Sequence, residues 1–132
     1  MSFDGLPTRI EATYRITQDL VDAYAEVSGD RNPLHIDPAY AAGTRFGRTV
    51  AHGLMSLGAL FDTIEARLPE ALTGRAQVDC VFVAPVFPGD LLRVEAELGD
   101  VNDTSRTYAC LCKVGDRVVL KAACRFEEKD KV

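Results

Sequence analysis

Both histidines of this chain, and an aspartate placed to pair with one of them, lie between positions 30 and 52. The first stretch reads Ser28-Gly29-Asp30-Arg31-Asn32-Pro33-Leu34-His35-Ile36-Asp37. The second reads Val50-Ala51-His52-Gly53-Leu54. Ser-Gly-Asp closes an amphipathic segment, and a glycine just past a helical run is the usual left-handed stop. Pro33 fixes its own φ and pushes Asn32 into an extended conformation. Asp30 and His35 therefore ride on a stiff turn, with room for one small molecule between them. A carboxylate beside an imidazole that titrates near neutrality is a general acid–base pair.

Each of these residues has a plainer reading when taken alone. Asp30 would be a turn residue after Gly29, and His35 a satisfied, partly buried histidine. Their joint spacing around Asn32-Pro33 favours chemistry. Gly53 opens a helix, so it offers an unpaired backbone N–H and the positive end of the helix dipole; its alternative is a simple cap. Asn32 is expected to hydrogen-bond within its own turn and hold the loop. His52 is assigned mainly to bracing the helix start, with substrate contact as its second reading. Asp37 reads as the cap of a short turn beginning at Pro38.

The elements that must position these residues follow from periodicity. Thr8 to Ile16 alternates and is read as a strand. Thr17 is a good N-cap, and Leu20, Val21, Tyr24 and Val27 recur at helical spacing until Gly29. Gly43 to Thr49 reads as a loop anchored by Phe46. From Gly53, the residues Leu54, Leu57, Phe61, Ile64 and Leu68 repeat every three or four positions until Pro69. This helix is apolar around much of its circumference and is expected to be largely buried. Gly58 in its interior suggests that something packs close against its backbone.

Four β segments follow: Gln77 to Phe87, Asp90 to Leu98, Thr104 to Lys113 and Arg117 to Phe126. Turn signals separate them at Pro88-Gly89, at Gly99-Asp100 with Asn102-Asp103, and at Gly115-Asp116. An antiparallel five-stranded sheet wrapped around one central helix covers both apolar surfaces economically. That α+β layout is the hotdog fold, expected as a single domain over residues 1–132.

Bulk properties narrow the partners. The chain has 132 residues, 47% hydrophobic and 27% charged, with a formal charge of -5 and a pI near 5.0. That acidity argues against nucleic acid or an anionic membrane as the main partner. A phosphate-bearing ligand would need a local basic cluster, for which Arg45 with Arg48, or Arg67 with Arg75, are candidates. The first residues carry no basic, apolar leader pattern, and no stretch is long enough to span a bilayer. Cys80, Cys110, Cys112 and Cys124 lack metal-ligand or redox spacing and read as buried thiols in a reducing cytoplasm.

The Ser28–Asp37 run, Phe46-Gly-Arg-Thr-Val-Ala-His-Gly-Leu54 and Phe82-Val-Ala-Pro-Val-Phe-Pro-Gly-Asp90 closely resemble the MaoC-like dehydratase family, in particular its single-hotdog (R)-specific enoyl-CoA hydratases. The Asp-x-Asn-Pro-x-His element is the specific part of the likeness; the Pro-Gly-Asp turn is weak. The resemblance implies reversible hydration of trans-2-enoyl thioesters to (R)-3-hydroxyacyl thioesters, with a coenzyme A or acyl-carrier-protein handle and a homodimeric assembly. It matches the family's catalytic aspartate and histidine to Asp30 and His35, and its oxyanion-binding N–H to that of Gly53. Some relatives place a serine on the central helix near the acyl pocket where this chain reads Leu60-Phe61-Asp62, so chain-length preference does not transfer.

For that chemistry Asp30 is assigned as the base, with His35 positioning the water and sharing proton transfer to C2; the roles could be reversed in a coupled pair. Gly53, Asn32 and His52 form the oxyanion and substrate side, and Arg45 and Arg48 are possible phosphate contacts. No metal or cofactor beyond the substrate's coenzyme A is expected. Two alternatives stand beside this reading: an acyl-CoA thioesterase, with Asp62 and Glu65 on the central helix, and a non-catalytic acyl-thioester-binding protein.

Overall fold

The computed structural model describes residues 6–68 and 75–127; the helix stop expected at Pro69 and the acidic tail from Glu128 lie outside them. Strand β1 (Arg9–Arg15) leads into α1 (Gln18–Ser28), then the short α2 (Pro33–Ile36) and α3 (Pro38–Ala42). Helix α4 (Gly53–Glu65) follows, and β2 (Arg75–Phe82), β3 (Leu91–Val101), β4 (Ser105–Val114) and β5 (Arg117–Glu127) complete the chain. All strand pairings are antiparallel, in the order β1-β3-β4-β5-β2. The sheet packs on α4 in the hotdog arrangement. The core is built from Ile10, Leu92, Val94, Tyr108, Leu120 and Phe126 of the sheet and Leu60 and Ile64 of α4. Each such large side chain stabilises the fold by roughly 1.5–3 kcal/mol.

Local signals account for the ends of most elements. Thr17 accepts from the Leu20 N–H at the start of α1, and Gly29 closes that helix at φ 80°. Asp37 Oδ1 accepts from the amides of Ala39 and Tyr40 and caps α3. The two-residue turn between Val114 and Arg117 contains Gly115 at φ 60°, a conformation glycine adopts without steric cost.

The structure corrects four expectations. Pro33 starts a helical turn of its own, α2, where only a stiff turn was anticipated. The strand expected over Gln77 to Phe87 ends at Phe82. Val83 and Ala84 still donate to the Val119 carbonyl, while the Val86 carbonyl turns away to accept from Ala51. A β-carbon on Gly58 would meet nothing within 4 Å, so no neighbour explains that glycine. Helix α4 buries only Ser56, Leu60, Thr63 and Ile64; its first turn is open, with Leu54 58% exposed.

Candidate active site

The end of α1 sets the aspartate. After Gly29 turns the chain, Ser28 Oγ accepts from the Asp30 amide, and Asp30 Oδ1 accepts from the Asn32 amide at 3.3 Å. Asn32 Oδ1 in turn accepts from the Leu34 amide and caps α2, which carries His35. Asn32 therefore holds the loop as expected. One carboxylate oxygen of Asp30 is spent on the turn, and the other, Oδ2, lies 3.8 Å from His35 Nε2. The carboxylate is 56% exposed, whereas the imidazole is 14% exposed.

His35 is fixed from three sides. Its Nδ1–H donates to the Val50 carbonyl at 2.6 Å. A carbonyl only accepts, so the neutral ring carries its proton on Nδ1 and presents the Nε2 lone pair to Asp30. Gln18 Nε2 donates to the His35 carbonyl, and Gln18 Oε1 accepts from Thr49. The Val50 amide donates to the Leu34 carbonyl at 3.1 Å. The loop before α4 is thus pinned to α2 on one side and, through Ala51, to the segment after β2 on the other.

His52 corrects its expected role. It stands at the N-cap of α4 with no side-chain capping bond. Instead its Nε2–H reaches back and donates to the Asp30 carbonyl at 2.8 Å. Its ring stacks on His35, centroids 3.8 Å apart and planes inclined by 26°, and receives the edge of Tyr24 at 4.7 Å. Its Nδ1 is buried without a hydrogen-bond partner, at a cost of about 1–3 kcal/mol.

Asp30, His35 and His52 bring one potential ligand atom each within 4.8 Å of one another. Ring planes inclined by 26° with centroids 3.8 Å apart meet only about 8 Å away, against a metal–nitrogen bond of about 2.1 Å. In-plane lone pairs therefore cannot converge, and the two histidines as placed cannot share one ion.

Beside this cluster lies a cavity of about 300 Å³. Gly53, His52, Val50, Ser56, Phe46, Phe82 and Val119 are among its lining residues; Asp30 and His35 are not. The Phe82 ring lies over Gly53, where an added β-carbon would sit 3.1 Å from two ring carbons. Gly53 is the first residue of α4, and its N–H has no acceptor among the described residues. Arg45 sits at the cavity with its guanidinium over Phe46. Arg48 is engaged elsewhere: it donates to the Pro88 carbonyl and lies over Phe87. The structure thus separates the two arginines.

Sequence reasoning missed Gln18, Tyr24 and the Val50 carbonyl. Tyr24 had been counted in the apolar stripe of α1. A backbone carbonyl has no residue-type signature, so nothing in the sequence marked it.

A larger concavity, about 880 Å³, lies on the outer face of the sheet and mixes Arg9, Asp79, Glu95, Glu97, Lys113 and Lys121 with small apolar residues. Some of its charges pair across strands, Lys113 with Glu95 at 3.1 Å and Arg9 with Glu97. It lies on the face opposite α4 and the acid–base pair.

Comparisons with known proteins identify the family and the fold. The MaoC-like domain family matches residues 4–119, and the chain belongs to that family. It is 38% identical over 107 residues to a 3-hydroxybutyryl-CoA dehydratase of Methylorubrum extorquens, a match covering 80% of this chain and 68% of that protein. It is 40% identical over 82 residues to the (R)-specific enoyl-CoA hydratase of Aeromonas caviae, covering 59% of this chain and 58% of the relative. The solved (R)-hydratase of A. caviae superposes with a TM-score of 0.81 at 27% identity, covering 96% of this chain and 99% of that one.

Proposed function

We propose that this protein is a hydro-lyase that adds water across the C2–C3 double bond of trans-2-enoyl-CoA to give (R)-3-hydroxyacyl-CoA, and catalyses the reverse dehydration. The observation that carries the reading is Asp30 Oδ2 facing the lone pair of His35 Nε2 at 3.8 Å, with the His35 ring stacked on His52, the residue that precedes the N–H opening α4. A water within about 2.8 Å of both acceptors bridges that gap, donating one hydrogen to each. Its lone pairs then face C3.

The steps balance within one acid–base pair. The water oxygen bonds to C3 as the pair takes its proton, and the C2–C3 π electrons move onto the thioester oxygen. The Gly53 N–H and the helix dipole stabilise that developing charge. The enolate then collapses, and the proton held by the pair is delivered to C2. His35, with Nδ1–H held by Val50, can accept at Nε2 and return the proton from the same atom. In this reading the base and acid roles belong to the pair jointly. This route needs no cofactor beyond the substrate's own coenzyme A.

Arg45, at the cavity, is the residue that would meet a phosphate of the coenzyme. A second copy of the chain is the proposed partner: β2 is a free sheet edge that ends in Val81 and Phe82, followed by Val83, all about half exposed or more, beside the open first turn of α4. An apolar edge of that kind is normally covered. Light scattering should give twice the 14.4 kDa chain mass; a monomer at micromolar concentration would remove the dimer from this account.

The thioesterase alternative loses its acids. Asp62 and Glu65 sit about 13 and 18 Å along the helix from Gly53 at 1.5 Å per residue. Tyr14 also donates to Asp62 at 3.2 Å. The test of the activity is incubation with crotonyl-CoA and chiral analysis of the product. (R)-3-Hydroxybutyrate supports the reading; free coenzyme A with intact crotonate overturns it.

A further inference from the structure

His52 is costly to keep, and its cost is what assigns it a role. It stands at the N-cap of a 13-residue helix without giving a side-chain capping bond, where Ser, Thr, Asp or Asn would stabilise the helix start. It is 3% exposed, and its Nδ1 has no partner. An apolar ring of the same shape would leave no such orphan atom. Stability alone would not choose histidine here.

What the ring does achieve is a three-way tie. Its Nε2–H fastens the Asp30 carbonyl, its face stacks on His35, and its backbone immediately precedes Gly53. Tyr24 closes the opposite side of the ring. The aspartate and the histidine ride on one turn and the oxyanion N–H opens a helix distant in sequence, and this side chain joins the two stretches. A displacement of about 1 Å at a reacting group can lower the rate 10²-fold, so the tie bears on turnover more than on binding.

We propose that His52 is a positioning residue that aligns the acid–base pair with the Gly53 N–H and itself contacts no reacting atom. The proposal rests on the reading of Asp30 and His35 as that pair.

Two variants test it. His52→Phe keeps the stack and removes the hydrogen bond to Asp30. His52→Asn restores a preferred cap residue and removes the stack. Both are compared with wild type for thermal midpoint, for kcat and KM on crotonyl-CoA, and by long-range ¹H–¹⁵N NMR of the imidazoles. The account expects folded proteins, KM within about threefold of wild type and kcat lower by about 10-fold for Phe and about 100-fold for Asn. It also expects His35 to show a single Nδ1–H tautomer in wild type and an averaged signal in His52→Asn. Unchanged kcat in both variants, or a loss confined to KM, overturns the proposal. If wild type has no hydratase activity, the functional reading fails, and NMR still decides the positioning claim: a His35 signal indifferent to His52→Asn overturns it.

Discussion

Gly53→Ala isolates the contact on which charge stabilisation depends. The added methyl carbon would stand 3.1 Å from Phe82 Cδ1 and Cε1, tighter than ordinary van der Waals contact. The half-exposed Phe82 ring must give by a few tenths of an ångström. Against that stands the helix preference of Ala over Gly, smaller at this first helical position than the about 0.5–1 kcal/mol of a helix interior. The two nearly offset, so stability should change by no more than about 1 kcal/mol. Catalysis should not be spared, because the methyl crowds the approach of the thioester oxygen to the Gly53 N–H. Loss of one oxyanion donor costs about 10²–10³ in rate, and about 10²-fold in kcat is expected here. The assay is initial-rate hydration of crotonyl-CoA beside urea unfolding, repeated with Phe82→Ala and with the double variant. Phe82→Ala should relieve the crowding and recover stability without recovering kcat. Full kcat in folded Gly53→Ala would show that the oxyanion does not dock at this helix start.

Three further outcomes follow from the same structure. Arg45→Ala should raise KM for crotonyl-CoA severalfold with kcat unchanged, and leave the KM of a crotonyl-pantetheine thioester, which lacks the nucleotide, unmoved; equal effects on both would take Arg45 out of coenzyme binding. Glu95 is held below the usual carboxylate range chiefly by its hydrogen bond to Lys113, with Arg93 and Arg9 assisting against a desolvation penalty. A depressed carboxylate stabilises the fold above its unfolded pKa and loses that contribution as pH falls through its folded pKa. Glu95→Gln should therefore cost about 0.5–1 kcal/mol near pH 7 and close to nothing at the acid end, read from urea midpoints against pH. Burial holds the Cys112 thiol up at about 12, so an aromatic disulfide reagent should label half-buried Cys80 first and reach Cys110, Cys112 and Cys124 only on unfolding; prompt labelling of all four would contradict the packing.

The sequence carried the scaffold well because its signals were local. Thr17, Gly29, Asp37 and Gly115 each act within a few residues of themselves, and each ends or starts the element it was expected to. The strand overrun past Phe82 had a physical reason: Val83 to Phe87 is as apolar as a strand, yet part of that run lines the cavity and Val86 bonds to Ala51 instead of a neighbouring strand. The burial of α4 was overestimated because apolar residues such as Leu54 read as core whether they meet the chain's own sheet or a surface left open.

The site divided along the same line. Asp30 and His35 were legible because one short turn carries both, with Asn32 and Pro33 fixing their spacing. His52 was visible as a residue but not in its direction, since its contacts cross from the start of α4 to the end of α1. Arg45 and Arg48 could not be told apart until Pro88 and Phe87 were seen to engage one of them.

The central claim is that Asp30 and His35 together activate water for addition to an enoyl thioester. The direct test is loss of the conjugated absorbance of crotonyl-CoA, followed for wild type beside Asp30→Asn and His35→Ala, with folding checked by circular dichroism. The account predicts rapid loss in wild type and rates lower by about 10²–10⁴-fold in each folded variant, the range a positioned acid–base group contributes. Wild-type rates in either variant would contradict it.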